Sequence, residues 1–185
     1  MFIFIDTETG GIGLDKSLLT ASFIITDEQL KIVDKLYLSV RPDDNLYHIE
    51  AKALEINKIN LIEHEKIAIP YKNAKPKVYE FIKQHSKEGA DKLIPAGFGI
   101  YFDLTHVWDK LISRATWETF CSYRTMDVTS IARFLMLLGK IRSDLSGSLV
   151  SLSTYFNVYH EQEHHAESDN LATIEVLKYL IKAGG

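Results

Sequence analysis

The sequence predicts an α/β fold, a central mixed five-stranded sheet flanked by helices, and three observations carry that prediction. Three runs rich in Ile, Val, Phe and Tyr open the chain, joined by short polar links. Strand-like and helix-like runs then alternate. The chain closes on an amphipathic run from Ala166 to Ile181. An antiparallel meander followed by alternating elements argues for helices packed on a mixed sheet. With 185 residues, 46% apolar and 25% charged, one folded domain spanning 1–185 is expected and disorder is not.

Met1 to Asp6 reads as a buried strand, apolar on both faces and ending in polar residues. Leu18 to Thr26 and Lys31 to Val40 follow as strands, with Asp27-Glu28-Gln29 as the hairpin link. Together they imply a three-stranded meander with the first strand at its centre. Ile49 to Ile59 has helical spacing. Pro76 is expected to start a second helix that sets Val78, Phe81 and Ile82 on one face. Lys92 to Ala96 reads as a fourth strand, followed by a helix from about Phe102 to Arg114. Thr119 to Tyr123 reads as a short fifth strand, before a helix over Val128 to Leu138. Leu149 to Phe156 is helical, and a polar loop through Glu163 precedes the last helix, whose apolar side includes Leu171, Ile174, Val176, Leu177 and Leu180.

Composition narrows the function classes. The apolar runs are too short to cross a bilayer, so no membrane partner is expected. The chain opens directly on a strand-like run, without a basic segment or secretory apolar region. A single cysteine, Cys121, excludes an internal disulfide, and cytoplasmic localisation is the expectation. The net charge of −4 carries no whole-chain sign of nucleic-acid binding. A carboxylate-rich site nevertheless presents positive charge to phosphate once divalent cations arrive. From Lys110 to Arg142 the basic residues Lys110, Arg114, Arg124, Arg133, Lys140 and Arg142 outnumber the acidic ones. They form either a phosphate-tracking face or an ordinary solvated surface.

The chemistry-bearing residues stand in three places. In Asp6-Thr7-Glu8-Thr9-Gly10, alternation along a strand sets Asp6 and Glu8 on one face. Two such carboxylates repel unless one takes a proton or a cation neutralises them, and oxygen-only ligands suit Mg²⁺ or Mn²⁺. A strand-ending turn is the plain alternative. Asp103 follows Phe102 near a helix start, where an Asp is often only a dipole-compensating residue. His164-His165-Ala166-Glu167-Ser168-Asp169 sets a histidine in a loop and a carboxylate in the first turns of the last helix.

In combination, Asp-x-Glu-Thr at the first strand, Phe-Asp near the middle and His-x-x-x-x-Asp near the end resemble the DEDDh (DnaQ-like) 3′→5′ exonucleases of the ribonuclease-H-like superfamily. The resemblance extends over essentially the whole chain. Ala53-Leu54-Glu55-Ile56-Asn57 and Tyr123-Arg124-Thr125-Met126-Asp127-Val128 look like family segments, and Tyr155-Phe156-Asn157-Val158 stands where the family has a helix-ending turn. One departure is Phe98-Gly99, where family members often carry a polar pair.

The resemblance implies a ribonuclease-H-like fold and hydrolysis of the last phosphodiester at a 3′ end of single-stranded DNA or RNA, releasing a 5′-nucleoside monophosphate. It implies two divalent ions, Mg²⁺ or Mn²⁺, with Asp6, Glu8 and Asp169 holding one, Asp6 bridging to the other and Asp103 acting through water. His164, in family register with Asp169, is the implied general base; His165 is one residue short. An imidazole ordinarily titrates near neutrality and the neighbouring carboxylates would raise that value, so activity is expected to improve above neutrality. Thr9, Gly10 and Phe102 are candidate contacts for the terminal nucleotide, each with an ordinary packing role as the alternative. A homodimer or a polymerase partner is compatible with this reading.

Three rivals remain at this level. His160-Glu161-Gln162-Glu163-His164 satisfies the H-E-x-x-H string of zinc proteases, though its surroundings read as a loop rather than a buried helix. Gly10, Gly11 and Gly13 hint at a nucleotide loop, but Lys16 stands where its third glycine would be. A non-catalytic nucleic-acid-binding module could keep the fold without the chemistry.

Overall fold

A computed structural model describes residues 1–86, 92–159 and 164–185. Its strands are β1 (Phe2–Thr9), β2 (Leu18–Thr26), β3 (Ile32–Arg41), β4 (Ile69–Pro70), β5 (Ile94–Gly97) and β6 (Met126–Asp127). Its helices are α1 (Ala51–Asn57), α2 (Leu61–Ile67), α3 (Tyr71–His85), α4 (Tyr101–Lys110), α5 (Arg114–Phe120), α6 (Val128–Leu137), α7 (Leu149–Phe156) and α8 (Ala166–Gly184). The strands form a sheet in the order β4-β3-β2-β1-β5-β6. β1, β2 and β3 pair antiparallel, whereas β5 runs parallel to β1 and β6 parallel to β5.

Every residue of β2 is buried, as expected of a strand covered on both faces. Alternation divides β1 between the two layers. Ile3 and Ile5 join Phe23, Val78, Leu104, Val107 and Trp117 in one core cluster, under α3, α4 and α5. Phe4 joins Ile24, Val128, Leu152, Ile174 and Leu177 in the other, under α6, α7 and α8. Helices on both faces of a mixed sheet are the architecture expected from sequence.

Several elements differ from expectation. Among the described residues the sheet has six strands, because Ile69–Pro70 and Met126–Asp127 each add two residues at opposite edges. Proline is tolerated in β4 because an edge strand needs no second set of donors. The segment read as a strand over Thr119 to Tyr123 is instead the end of α5, followed by a single bridge from Leu93 to Cys121. Within it Phe120 and Cys121 are buried, and Phe120 continues the buried face that Trp117 begins on α5. The meander has β2 at its centre, whereas β1 is central to the whole sheet, between β2 and β5.

Pro76 lies inside α3 rather than at its start. An interior proline costs about 3 kcal/mol, which the buried stripe of Tyr71, Ala74, Val78, Phe81 and Ile82 must exceed. The helix begins earlier because Asp43 accepts from the Lys72 amide at 2.9 Å. Of the zinc-protease string, residues 160–163 lie outside the described residues. Among the described residues, no helix is long and apolar enough to cross a membrane.

Asn170 joins α8 to the sheet. Only 1% exposed, its amide nitrogen lies 3.1 Å from the carbonyl oxygens of Phe4 and Ser22 and from Ser22 Oγ. Buried hydrogen bonds of this kind cost about 1–3 kcal/mol when one partner is removed. Asn170→Ala is therefore expected to lower unfolding free energy by about 2–3 kcal/mol, adding a cavity cost to the orphaned carbonyls. Urea denaturation would measure it, and a loss under 1 kcal/mol would contradict the anchoring role.

Candidate functional site

The carboxylates gather at the end of β1. Asp6 and Glu8 share one face of that strand, opposite Ser22 and Thr20 of β2. Asp169 reaches the same face from the first turn of α8, where its amide donates to the His165 carbonyl at 2.9 Å. A helix N-terminus is a favourable place for a negative charge. One ligand oxygen from each of Asp6, Glu8 and Asp169 lies within 4.8 Å of the others.

Asp103 arrives from the opposite layer. It is the third residue of α4, is 4% exposed, and accepts a 2.7 Å hydrogen bond from Thr7 Oγ1. Thr7 lies between Asp6 and Glu8 and so projects to the other face of β1. Asp103 therefore stands outside the three-carboxylate group yet close enough to act on its charges.

Those charges are mutually unfavourable. Desolvation raises Asp6 well above the ordinary carboxyl range, with further contributions from Asp103, Asp169 and Glu8. Glu8 is pushed up to about 9, first by burial and then by Asp169 and Asp103. Asp103 rises to about 7, again chiefly by burial, although the Thr7 hydroxyl opposes the shift. An all-oxygen donor set with this much repulsion matches a hard divalent cation, which would replace the bound protons.

The sign of the resulting pH dependence follows directly. Acids whose pKa is raised by folding hold protons in the folded state that the unfolded chain has released. Their stabilisation is complete below about pH 4.5 and is lost as pH rises towards 9. The metal-free protein is expected to melt at progressively lower temperature between pH 5 and 9, with a shallower slope in Glu8→Gln. Mn²⁺ should raise the melting temperature more at pH 8 than at pH 6, because fewer protons compete. Identical slopes for the two proteins, or a pH-independent Mn²⁺ increment, would contradict this linkage.

His164 occupies the left-handed region at φ 60, a conformation in which histidine is among the better-tolerated residues. It lines a small cavity of about 100 Å³ that also contains Glu8, Tyr37, Asn57 and His165. The next ring, His165, stacks on Tyr37 with centroids 5.0 Å apart and planes 14° apart. Both histidines thus border the cavity, and the Tyr37 stack fixes the second.

A larger cleft of about 300 Å³ also borders Glu8. Thr7, Glu8 and Thr9 of β1 line it, with Gly11 and Ile12 of the following loop, Glu50, Lys52, Ala53, Ile56 and Asn57 around α1, and Phe102 of α4. Thr9 and Phe102, the candidate nucleotide contacts, both line this cleft. Gly10 does not line the cleft. Its N–H donates to Ser17, its carbonyl accepts from Glu50, and a Cβ there would meet the His48 oxygen at 2.5 Å. Its glycine is required by packing, and Gly11 takes the lining position.

Asn57 was not singled out from sequence, although its segment was. It is buried, donates to the Thr9 carbonyl at 3.2 Å and accepts from the Ile59 amide at 3.1 Å. It borders both cavities and ties α1 to the end of β1. No local pattern marks such a residue, because its partner is 48 positions away.

The departure at Phe98-Gly99 also has a local explanation. Gly99 adopts φ 71, and its amide donates to Asp127 at 2.9 Å. Asp127 also caps α6 through Thr129 and Ser130. Asn157, in the helix-ending turn, adopts φ 55 and closes α7 as a left-handed cap. Of the basic residues from Lys110 to Arg142, Lys110, Arg114 and Arg142 pair with Asp109, Glu118 and Asp144. Those three are engaged within their own surface.

No family model matches the sequence, and no curated protein matches it. Solved structures do. E. coli exonuclease I in complex with a dT13 oligonucleotide superposes with a TM-score of 0.77 at 18% identity, over 97% of this chain and 40% of that one. The zinc-ion-bound form of the E. coli exonuclease I–single-stranded DNA complex gives 0.74 at 19%, over 99% and 40%. Exonuclease X in complex with 5′-overhanging duplex DNA gives 0.67 at 18%, over 100% and 93%. The chain thus spans about 40% of exonuclease I and nearly all of exonuclease X. At these identities the likeness is one of fold: a mixed sheet flanked by helices, shared with these exonucleases.

Proposed function

We propose that the chain is a metal-dependent 3′→5′ exonuclease of the DEDDh type, a single catalytic unit over residues 1–185 that acts on single-stranded nucleic acid. The observation that carries this reading is the gathering of Asp6, Glu8 and Asp169 within 4.8 Å, with buried Asp103 acting on the same charges. A cleft of about 300 Å³ adjoins them, and the fold is shared with DNA-bound exonucleases.

Asp6, Glu8 and Asp169 would hold the divalent ion, Asp6 would also face a second one, and Asp103 would contribute from beyond Thr7. Divalent ions at such a site stabilise the entering and leaving oxygens of an in-line displacement. His164 takes the proton from the attacking water. The cleft lined by Thr9, Gly11 and Phe102 receives the terminal nucleotide, and the walls around it hold that nucleotide in line.

The test is incubation with single strands labelled at the 3′ or the 5′ end, with Mg²⁺ or Mn²⁺ and with chelator. Immediate release of 3′-labelled mononucleotide, a shortening ladder from the 5′-labelled strand and inhibition by chelator are expected. Internal cuts without mononucleotide, or no metal dependence, would reject the proposal. Running DNA, RNA and very short oligonucleotides in parallel identifies the substrate class.

A further inference from the structure

Besides α1, the cleft beside Glu8 has two walls that belong to distant parts of the chain. One is the loop after β1, which carries Gly11 and Ile12; the other is α4, which carries Phe102. The base of the loop is firmly held. Gly10 exchanges 2.7 Å hydrogen bonds with Ser17 and Glu50, and no side chain would fit at that position. Beyond it, Thr9 Oγ1 donates to the Gly11 carbonyl at 2.7 Å and the Lys16 amide to the Gly13 carbonyl at 3.0 Å, while Ile12 is 84% exposed.

Phe102, His106 and Lys110 stand at four-residue intervals on α4 and so form one stripe. The rings of Phe102 and His106 lie 4.7 Å apart. His106 is fully buried against the Ile12 backbone, and neither ring nitrogen has a partner meeting hydrogen-bond geometry among the described residues. At the end of the stripe, Lys110 Nζ donates to the Leu14 carbonyl at 2.9 Å, across 96 residues of sequence. Asp109 holds the same ammonium at 2.7 Å, and the lysine side chain is only 19% exposed.

We infer that Lys110 is a positioning residue that latches the tip of the Gly10–Lys16 loop to α4 and thereby sets the separation of Ile12 and Phe102 across the cleft. A charged donor makes a stronger bond to a carbonyl than a neutral one, which suits a latch on an exposed loop. Lys110 itself lines neither cavity and touches no carboxylate of the metal centre. The inference rests on the exonuclease reading for its functional half, because the cleft is there taken to receive the terminal nucleotide.

The test compares wild type, Lys110→Met and Lys110→Arg. Amide hydrogen exchange across residues 11–16 should quicken in Lys110→Met and return towards wild type in Lys110→Arg. KM for a single-stranded oligonucleotide should rise about tenfold in Lys110→Met, with kcat and the Mn²⁺ concentration for half-activation within about twofold of wild type. Unchanged exchange overturns the latch. Faster exchange with unchanged KM overturns its role at the cleft, as does a shift in Mn²⁺ half-activation that accounts for the change in KM. Absence of mononucleotide release by wild type defeats the exonuclease reading and with it the functional half, while the exchange result still decides the latch.

Discussion

Asp6→Asn is expected to reduce metal-dependent mononucleotide release by roughly 10³-fold or more while making the metal-free protein more stable. Both effects arise from one property. Asp6 is half-buried beside Glu8, Asp103 and Asp169, so its ionisation is opposed by desolvation and by like charge. An amide of the same shape removes that penalty. It also removes an anionic ligand from the group of three whose oxygens lie within 4.8 Å. Metal-ion stabilisation is worth several kcal/mol, and each 1.4 kcal/mol is about tenfold in rate. In chelator at pH 8, the variant should melt at least about 2–4 °C above wild type, the shift that about 1 kcal/mol produces in a chain of this size. The Mn²⁺-induced increment should largely vanish. A variant that retains activity, or melts lower without metal, would contradict the assignment of Asp6 to the metal centre.

His164→Asn is expected to lower kcat by about 10²–10⁴-fold with little change in KM, the range typical of a lost general base. Asparagine is the suitable replacement because it tolerates the left-handed backbone that His164 adopts at φ 60. The comparison that gives this prediction its force is His165→Phe. That substitution keeps a ring to stack on Tyr37, so kcat should stay within a few-fold of wild type. A large loss in His165→Phe together with a small one in His164→Asn would transfer the base to the other histidine. Equal and modest losses in both would indicate that the two rings only shape the cavity beside Glu8.

How much of the fold was legible depended on where each element's cause lies. The β2 strand and the α7 helix are found over the residues read from sequence, Leu18 to Thr26 and Leu149 to Phe156. In both, local patterning and the flanking polar residues carry the information. The α2 helix was not foreseen. Its seven residues offer little periodicity, and its buried His64 lies 2.8 Å, through Nε2, from the Leu19 carbonyl of β2. The two-residue strands β4 and β6 exist through pairing with β3 and β5, so nothing within them predicts a strand. At Thr119 to Tyr123 the apolar run is too short to distinguish period 2 from period 3.6, and packing ends α5 at Phe120 and leaves a single bridge at Cys121.

For the site, the sequence by itself determined which groups carry charge and how they are spaced. Alternation along β1 sets Asp6 and Glu8 on one face, and four intervening residues separate His164 from Asp169. Only the tertiary structure decided that these groups meet, because Asp169 and Asp103 reach β1 from helices in opposite layers. It also set Gly11 in the lining of the cleft and brought in Asn57, Asn170 and Lys110, whose partners lie 48, 166 and 148, and 96 residues away. The physical reason is common to all of them. A strand's period and a helix's first turn are local properties of the backbone, whereas desolvation, charge repulsion and a hydrogen bond between distant segments exist only once the layers have packed.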